Sequence, residues 1–452
     1  MKAINPANNE LIRDYPEHSD EQVVEILQAV DDEFHSWRET GFDERSGLMR
    51  AAAETQRTNK RKYAEIMTGE MGKIIAEAEA EIEKCAWVCD YYAENAEKFL
   101  ADEVIESDAG RSFVAFEPLG AVLAVMPWNF PFWQVMRFAA PALMAGNTGV
   151  LKHASNVPGS ALALEEIFHE AGFPKNAFRT LMIGASQVEK VIRNPIVKAV
   201  TLTGSGDAGM KVASAAGEEL KKTVLELGGS DPFIVLDDAD IEACVAMAVM
   251  SRMINQGQSC IAAKRFIVVE SVLDQFTGLM VDAMKALKIG DPMQPDTRVG
   301  PLARMDLVEE LDGQVRRSLQ SGAKLLCGGK PVDRPGAFYL PTVIGGVKKG
   351  MAIYEEETFG PVAAIIPVKD TEEAIAVAND SEFGLAGAVW SRDTKKAEQV
   401  ARRVETGAVY VNGMSKSDPR LPFGGIKKSG YGRELSHCGI REFVNIKTIW
   451  MK

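Results

Sequence analysis

The sequence predicts an α/β protein built from two parallel sheets, each covered by helices. Two observations support this prediction. Short apolar, β-branched segments alternate with segments of helical period, and a Gly-Gly pair at 228–229 separates one such series from a second. This alternation builds parallel sheets with helices on both faces, and ligand sites form at the strand ends.

Helices come first, over residues 20–102. Apolar residues recur there with helical period, as in EQVVEILQAVDDEFHSW and IAEAEAEIEKCAWVCDYYAENAEKFL. From about residue 113 the pattern changes to short apolar strands that lead into proline-containing loops, FVAFEPLGAVLAVMPWNFP.

The first strand–helix series follows. Its predicted strands are TGVLKHAS, FRTLMIG, AVTLTGS and KTVLEL. Helices are expected over 156–171, 186–194 and 206–217, and Ser155 or Asn156 can cap the first of them.

The second series begins with DPFIVLD and continues through RFIVVE, AKLLCGG, PVAAIIPV, AGAVWS and AVYVN. The chain then ends in an alternating strand, FVNIKTIWMK, that no helix follows. A terminal strand of this kind often extends another sheet, including one in a neighbouring subunit.

Composition excludes several classes of protein. The 452 residues include 51 Lys and Arg against 64 Asp and Glu, a net charge of −13, which argues against nucleic acid as a partner. No apolar stretch reaches the roughly 20 residues that cross a membrane, and the first residues lack the apolar core of a signal peptide. Six scattered cysteines favour free thiols in a reducing cytoplasm.

No metal site is predicted. The five histidines stand alone in the sequence, without the spacing of zinc ligands. Cys85 and Cys89 lie one helical turn apart but lack a second ligand pair, so two core-facing thiols are the plainer interpretation.

Three residues are candidates for catalysis. Cys260 follows a glycine-containing turn in NQGQSC, which suits a nucleophile, although a cysteine is more often a small buried apolar residue. Glu226 ends an apolar strand, where it is either a general base or a solvated strand end. Asn129 lies between two prolines and could donate to an oxyanion or only to its own turn.

Two further features could bind an anion. The segment TGSGDAGM (203–210) follows a strand and opens a helix, so its backbone N–H groups suit a phosphate, although it lacks the full GxGxxG spacing. Lys152 ends the strand TGVLK, where it can reach a ribose or a phosphate or simply meet solvent.

Taken together and in this order, these segments resemble the aldehyde dehydrogenase superfamily. Its signatures are matched nearly in register by MPWNFP, LKHAS, TLTGSGDAG, LELGGSDP, NQGQSC, EEETFGPV and LPFGGIKKSGYGRE, over essentially the whole chain. The resemblance implies the fold of that superfamily and a homodimer or homotetramer. Its three domains would be a Rossmann-like cofactor domain (1–103 and 119–228), a catalytic α/β domain (229–430) and a small β bridging domain (104–118 and 431–452).

The resemblance also implies a mechanism. Cys260 would attack an aldehyde to form a thiohemiacetal, with Asn129 and the Cys260 backbone N–H as the oxyanion hole. Hydride transfer to a nicotinamide would leave a thioester, and Glu226 would activate water to hydrolyse it. Thiolate attack and thioester hydrolysis both proceed readily near neutral pH. The presence of Glu226 favours hydrolysis over transfer to coenzyme A.

Cofactor contacts are implied residue by residue. Glu357 and Phe359 would hold the nicotinamide ribose, and Lys152 the adenosine ribose. Relatives that prefer NAD often carry Glu where this chain has Ser155, and Glu repels a 2′-phosphate, so NADP is predicted, with NAD as the alternative. The remaining predicted cofactor residues are Met126, Pro127, Trp128, Gly184, Thr203, Gly204, Ser205 and Leu227.

Within the superfamily, the chain most resembles the short bacterial group that oxidises succinate semialdehyde. In that group the residues matching Arg137 and Ser417 hold the far carboxylate of the substrate, and Trp133 would line the channel. Paired hydrogen bonds suit Arg to this task, although an ion pair at the helix surface is the alternative for Arg137.

Other functions stay open at this stage. Ile254 stands where several members carry a second Arg, which admits glutarate semialdehyde or apolar aldehydes as substrates. A non-catalytic protein of the same fold is a further alternative. The presence of all three predicted catalytic residues argues against it.

Overall fold

The computed structural model describes residues 1–452 and is built around three sheets. The N-terminal part contains a short hairpin and four helices. Their bounds are β1 (Lys2–Ile4), β2 (Leu11–Asp14), α1 (Asp20–Trp37), α2 (Phe42–Thr58), α3 (Lys60–Met71) and α4 (Ile75–Phe99). The helices predicted over 20–102 are therefore present.

The first strand–helix series has the predicted alternation. Its elements are β3 (Glu103–Val104), β4 (Arg111–Pro118), β5 (Ala121–Met126), α5 (Trp133–Met144), β6 (Thr148–His153), α6 (Pro158–Glu170), β7 (Phe178–Thr180), α7 (Val188–Arg193), β8 (Val197–Thr203), α8 (Gly206–Glu218) and β9 (Lys222–Glu226).

The second series fills the rest of the chain. Its elements are β10 (Asp231–Val235), α9 (Ile241–Met253), β11 (Ala263–Val269), α10 (Glu270–Lys285), α11 (Met305–Gln320), β12 (Lys324–Cys327), β13 (Thr342–Gly345), α12 (Ala352–Glu355), β14 (Val362–Val368), α13 (Thr371–Asn379), β15 (Phe383–Gly384), β16 (Ala386–Trp390), α14 (Thr394–Ala401), β17 (Ala408–Val411), β18 (Ile426–Lys427), β19 (Gly430–Tyr431), α15 (Ser436–Ile440) and β20 (Val444–Met451).

Two of the boundaries that differ from the sequence prediction have a clear physical cause. Helix α6 begins at Pro158 rather than at residue 156, because the residue before a proline avoids the helical conformation and proline suits the first helical position. Strand β7 ends at Thr180: the N–H of Leu181 still donates to Leu151 O of β6, but Met182 exchanges hydrogen bonds with His18 instead of continuing the sheet.

The first large sheet has the strand order β19-β9-β8-β5-β6-β7, and its strands β5 to β9 are parallel. Alternate side chains of β5 enter two different cores. Val122 and Ala124 pack with helices α2 to α6, and Ala121 and Leu123 pack with α1, α7 and α8. The order reverses at β5, between β6 and β8, and a crevice for a ligand forms at such a point.

The second large sheet has the order β12-β13-β14-β11-β10-β16-β17, with only β12 antiparallel. Its central strands are buried on both faces: Phe233 and Val235 of β10 enter one core, and Ile234 enters another. The loop that joins β9 to β10 carries the Gly-Gly pair, so the chain passes directly from the first large sheet into the second.

The third sheet is small and antiparallel, with the order β20-β4-β3. All eight residues of β20 pair with β4, from Val444 opposite Pro118 to Met451 opposite Arg111. The terminal strand thus pairs within its own chain. The domain boundaries remain a prediction, and the predicted boundary between residues 430 and 431 divides β19, which pairs with β9 of the first large sheet.

None of the helices is both long and apolar enough to cross a membrane. Cys85 and Cys89 are fully buried on α4, and the structure contains no group of three or more His, Cys, Asp or Glu that could hold a metal ion.

A buried ion pair connects α4 to the start of α5. Glu81 pairs with Lys73, which is fully buried, and accepts the backbone N–H groups of Phe132 and Trp133 at 3.0 Å each. The first N–H groups of a helix need such acceptors. Glu81 therefore fixes the start of α5 and, with it, the loop that carries Asn129.

Replacing Glu81 with Ala is expected to lower the free energy of unfolding by about 3 kcal/mol, because Lys73 is left buried without its partner. Urea unfolding followed by circular dichroism measures the change. Glu83→Ala is the matched control on the same helix. Glu83 is half-exposed and pairs with Arg57, so its loss should stay below about 1 kcal/mol. Equal losses in the two variants would contradict the role assigned to Glu81.

Candidate active site

A cleft of about 670 Å³ lies where the two large sheets meet. The carboxyl ends of β5, β8 and β9 reach it from one side, and the segments that precede β10, β11 and β14 reach it from the other. The sequence-predicted residues that line it are Pro127, Trp128, Asn129, Thr203, Gly204, Ser205, Leu227, Cys260, Glu357 and Phe359.

Four predicted cofactor residues lie outside this cleft. Met126 is buried at the end of β5, and Lys152 is paired beside it in β6, opposite Val125. Ser155 is exposed just beyond β6, and Gly184 lies just beyond β7. All four follow the carboxyl edge of the first large sheet, so they extend the cleft along that edge.

Lys152 is a buried cation without a partner. Only 7% of its side chain is exposed, it takes part in none of the ion pairs of the chain, and burial lowers its pKa. Nearby, the first N–H groups of α8 lack intrahelical acceptors, and Ser205 Oγ accepts only that of Ala208, at 3.3 Å. Together these groups suit an anionic ligand such as a dinucleotide.

The backbone around Cys260 is strained and tightly packed. Asn255 and Gln256 adopt left-handed conformations, with φ of 50° and 54°. At Gly257, with φ of 79°, a Cβ atom would lie 2.2 Å from the Gly360 carbonyl oxygen, so only glycine fits. Strain of this kind is typical of functional sites.

The Asn129 loop and the Cys260 loop are joined by side-chain amides. Asn255 Nδ2 donates to the carbonyl oxygens of Asn129 (2.7 Å) and Gln258 (3.1 Å). Asn129 Nδ2 also donates to Gln258 O, at 3.2 Å, which leaves its second N–H available. The backbone N–H of Cys260 has no partner in the chain. Two free donors therefore belong to residues that line the same cleft as the thiol, Asn129 and Cys260 itself.

Lys264 connects the Cys260 loop to Glu357. The fully buried Lys264 ammonium donates to the carbonyl oxygens of Ser259 (2.9 Å) and Cys260 (2.7 Å) and lies 3.3 Å from the Glu357 carboxylate. Glu357 also accepts the Gly229 N–H at 3.1 Å. This carboxylate is consequently fixed at the edge of the cleft.

The thiol of Cys260 is protonated at neutral pH in the absence of ligands. Burial raises the pKa of Cys260 to about 12, and the nearby Lys264 and Arg137 only partly oppose this effect. Formation of the thiolate therefore needs a proton acceptor or a change in the charges around the sulfur.

Glu226 is a buried carboxylate at the end of β9 with no hydrogen-bond partner on either oxygen. Burial raises the pKa of Glu226 to about 8, and the neighbouring Glu434 carboxylate adds to the shift, while Arg137 and Arg433 oppose it. The solvated strand end considered from sequence is therefore wrong. A group with this pKa can exchange a proton near neutral pH.

A second, narrower cavity of about 60 Å³ also reaches Cys260. The three residues predicted to contact the substrate, Trp133, Arg137 and Ser417, line it together with Ile254. Arg137 is 2% exposed, so the alternative of an ion pair at the helix surface is wrong, but a buried pair with Glu434 takes its place.

Several residues of the site were not anticipated from sequence. Glu434 and Asn255 lie within the motifs LPFGGIKKSGYGRE and NQGQSC. Their partners, Arg137 and Asn129, are distant along the chain. Lys84 also lines the narrow cavity; it follows Glu81 by three residues, and this helical spacing places both residues on the same face of α4.

Residues 1–449 match the family model described as the Aldehyde dehydrogenase family. A probable succinate-semialdehyde dehydrogenase [NADP(+)] of Synechocystis sp. is 51% identical over 451 residues, covering 100% of this chain and 99% of that protein. A succinate-semialdehyde dehydrogenase [NADP(+)] of Mycobacterium avium is 50% identical over 455 residues, covering 100% and 96%.

Solved structures are similar over the same length. Succinic semialdehyde dehydrogenase from Streptococcus pyogenes, in complex with NADP+, superposes with a TM-score of 0.98 at 42% identity, covering 100% of this chain and 99% of that one. The Burkholderia pseudomallei succinate-semialdehyde dehydrogenase gives 0.97 at 35% identity, covering 99% and 94%. These likenesses confirm the predicted fold, and the chain belongs to the aldehyde dehydrogenase family.

Proposed function

We propose that this protein oxidises succinate semialdehyde to succinate with NADP+ as the hydride acceptor. The observation that carries the proposal is the position of Cys260, which lines both the wide cleft and the narrow cavity. A cofactor in the wide cleft and a small aldehyde in the narrow cavity would meet at its sulfur. The names of the similar proteins favour this substrate over the apolar alternatives.

The residues along the wide cleft fit a dinucleotide with a 2′-phosphate. Beyond the cleft, along the carboxyl edge of the same sheet, Lys152 is a buried cation without a counter-ion and Ser155 is exposed and neutral, so neither of these side chains repels a phosphate. The N–H groups at the start of α8 suit the pyrophosphate, and Glu357 suits ribose hydroxyls. When bound, the nicotinamide supplies the acceptor for the hydride.

The first half of the reaction forms a carbon–sulfur bond. The Cys260 thiol loses its proton, its sulfur attacks the aldehyde carbon, and the carbonyl oxygen becomes the oxyanion of a thiohemiacetal. The free N–H of the Asn129 amide and the backbone N–H of Cys260 can both donate to this oxyanion. Departure of the hydride leaves a thioester on Cys260.

The second half is hydrolysis, and Glu226 is the group placed for it. Its carboxylate takes a proton from water as the oxygen attacks the thioester carbon. The carbon–sulfur bond then breaks, and the departing Cys260 sulfur receives a proton, so the acid is released and the thiol regenerated. A carboxylate without hydrogen-bond partners is free to orient toward that water.

Glutarate semialdehyde and apolar aldehydes are the alternative substrates. The narrow cavity has basic side chains on its wall, Lys84 and Arg137 among them, which favours an aldehyde with a carboxylate at its far end over an apolar one. Its small volume favours the shorter semialdehyde.

A homodimer or homotetramer in the cytoplasm completes the proposal. The small sheet has a free edge at β20, and the exposed fractions of Ile446 (61%) and Trp450 (50%) are large for apolar residues. Such an edge with exposed apolar side chains suits a subunit contact. All six cysteines are free thiols, which suits a reducing compartment.

Initial rates with a series of aldehydes test the substrate. kcat/KM should be highest for succinate semialdehyde, at least about tenfold above glutarate semialdehyde, butanal and hexanal. Glutarate semialdehyde has one more methylene than the narrow cavity is expected to hold, and the two apolar aldehydes lack the carboxylate that its basic side chains would bind. A preference for glutarate semialdehyde or hexanal would select one of the alternatives instead. Absence of turnover with the whole series would favour the non-catalytic protein.

Kinetics with both cofactors test the assignment of Ser155. NADP+ should give the higher kcat/KM, and Ser155→Glu should lower that value by roughly 100-fold, because a carboxylate beside the 2′-phosphate repels it. Ser155→Gln, which is neutral, is the control and should change the value much less. A clear preference of the unchanged protein for NAD+ would contradict the assignment.

Glu226→Gln tests the hydrolytic step. Steady-state kcat should fall by about 100-fold or more, while a burst of one NADPH per active site persists, because the thioester still forms. In the unchanged protein kcat should rise between pH 6 and 9, since the pKa of Glu226 is about 8 and only its ionised form accepts a proton. Loss of the burst along with turnover would assign Glu226 to an earlier step.

A further inference from the structure

We propose that His153 is a positioning residue that joins the cofactor end of the site to the loop of Asn129. Its imidazole lies between the turn that carries Ser155 and the start of α5, and it forms one hydrogen bond with each of them. The inference rests on the proposed function in one respect, since it takes the roles of Ser155 and Asn129 from there.

The two hydrogen bonds determine which ring nitrogen carries the proton. His153 Nδ1 accepts the N–H of Ala154 at 2.9 Å, so this nitrogen has no hydrogen. Nε2 lies 2.9 Å from the carbonyl oxygen of Pro131, which can only accept, so Nε2 carries the hydrogen and donates it. The ring is therefore a single neutral tautomer that is held at both ends.

The first bond holds the turn that carries Ser155. This turn connects β6 to α6, and a second bond closes it, from the Val157 N–H to Ala154 O at 3.2 Å. The Ser155 side chain is exposed, so its position depends on the bonds that Ala154 makes. Lys152 directly precedes His153 in the sequence. Both residues assigned to the adenosine end of the cofactor therefore lie within two positions of the imidazole.

The second bond holds the start of α5. Pro131 is buried two residues after Asn129, and the carbonyl groups on either side of it accept N–H groups of α5. The Pro131 carbonyl has no such partner in the helix and bonds to His153 instead. Loss of the imidazole would leave this buried carbonyl unpaired, which is costly, so the loop would shift toward another partner. The Asn129 amide would move with it.

The surroundings of the ring keep it neutral. Burial lowers the pKa of His153 to about 4, the neighbouring Lys152 adds to the shift, and the carbonyl groups of Pro131 and Met126 only partly oppose it. Both hydrogen bonds therefore persist between pH 6 and 9, and His153 exchanges no proton in this range. Its contribution should be independent of pH there, unlike that of Glu226.

His153→Phe tests the inference, because it removes both hydrogen bonds and keeps a planar ring. The Kd for NADP+, measured by quenching of tryptophan fluorescence, should rise roughly tenfold, since the turn at Ser155 loses a bond. At saturating NADP+, kcat/KM for succinate semialdehyde and for butanal should both fall about tenfold, since the oxyanion formed from either aldehyde needs Asn129. Both changes should be the same at pH 6.5 and at pH 8.5.

Two conservative variants separate the two ends. The side-chain oxygen of Asn lies as many bonds from Cβ as Nδ1 does, and the amide nitrogen of Gln as many as Nε2 does. His153→Asn should therefore restore NADP+ binding but not the aldehyde rates, and His153→Gln should do the reverse. His169→Phe is the matched control. It removes a bond of the same kind, from Nε2 to Lys175 O at 2.9 Å near the far end of α6, and should leave all values unchanged.

Unchanged NADP+ binding and unchanged aldehyde rates in His153→Phe would overturn the inference. Equal losses in the Phe, Asn and Gln variants would also overturn it, since they indicate a role in folding alone. The Asn and Gln variants decide the question by themselves if the Phe variant does not fold. The proposed function fails separately. A preference of the unchanged protein for another aldehyde overturns the proposed function alone, because the predicted changes do not depend on which aldehyde is used.

Discussion

The site depends on one constraint: two loops from different sheets meet in a buried place, and their backbone groups still need hydrogen-bond partners. Asn255 meets this need by donating to a carbonyl of each loop, at Asn129 and at Gln258. Glu77 in turn accepts the Asn255 N–H at 2.9 Å. Because buried polar groups left unpaired are costly, this network fixes the distance between Asn129 and the Cys260 thiol. The left-handed backbone at Asn255 is tolerated because these bonds hold it.

The same burial that fixes the loops sets the chemistry. Cys260 and Glu226 both have pKa values raised by burial, so each holds its proton more tightly than it would in water. Arg137 and Lys264 counter this effect on Cys260, and neither is free of a carboxylate, since they lie beside Glu434 and Glu357. The pKa values of Cys260 and Glu226 therefore depend on both burial and the nearby cations. Binding of cofactor and substrate changes the charges around these two groups and shifts their pKa values. A site open to water would not hold either group so far from its usual pKa.

The sequence anticipated the fold and much of the wide cleft, for a physical reason. Parallel strands and their helices leave periodic patterns, and residues at strand ends, such as Glu226 and Thr203, follow those patterns directly. The local motifs around Asn129 and Cys260 were likewise visible. The pairing of Arg137 with Glu434 was not, because it joins residues separated by most of the chain and depends on how β19 and the following loop pack against β9. Boundaries such as the end of β7 were missed for the same reason: a distant loop at His18 competes for the backbone.

The net charge of this protein does not show which of its buried cations are available to an anionic ligand. The chain has 64 acidic against 51 basic residues, and many of the cations pair with a carboxylate, so a basic residue in a cavity need not be available to a ligand. Lys264 illustrates this, since it is buried and lies beside the Glu357 carboxylate. Lys152 differs because it is buried along the cofactor edge without a carboxylate partner. An anion is attracted by charge that the protein has not already neutralised.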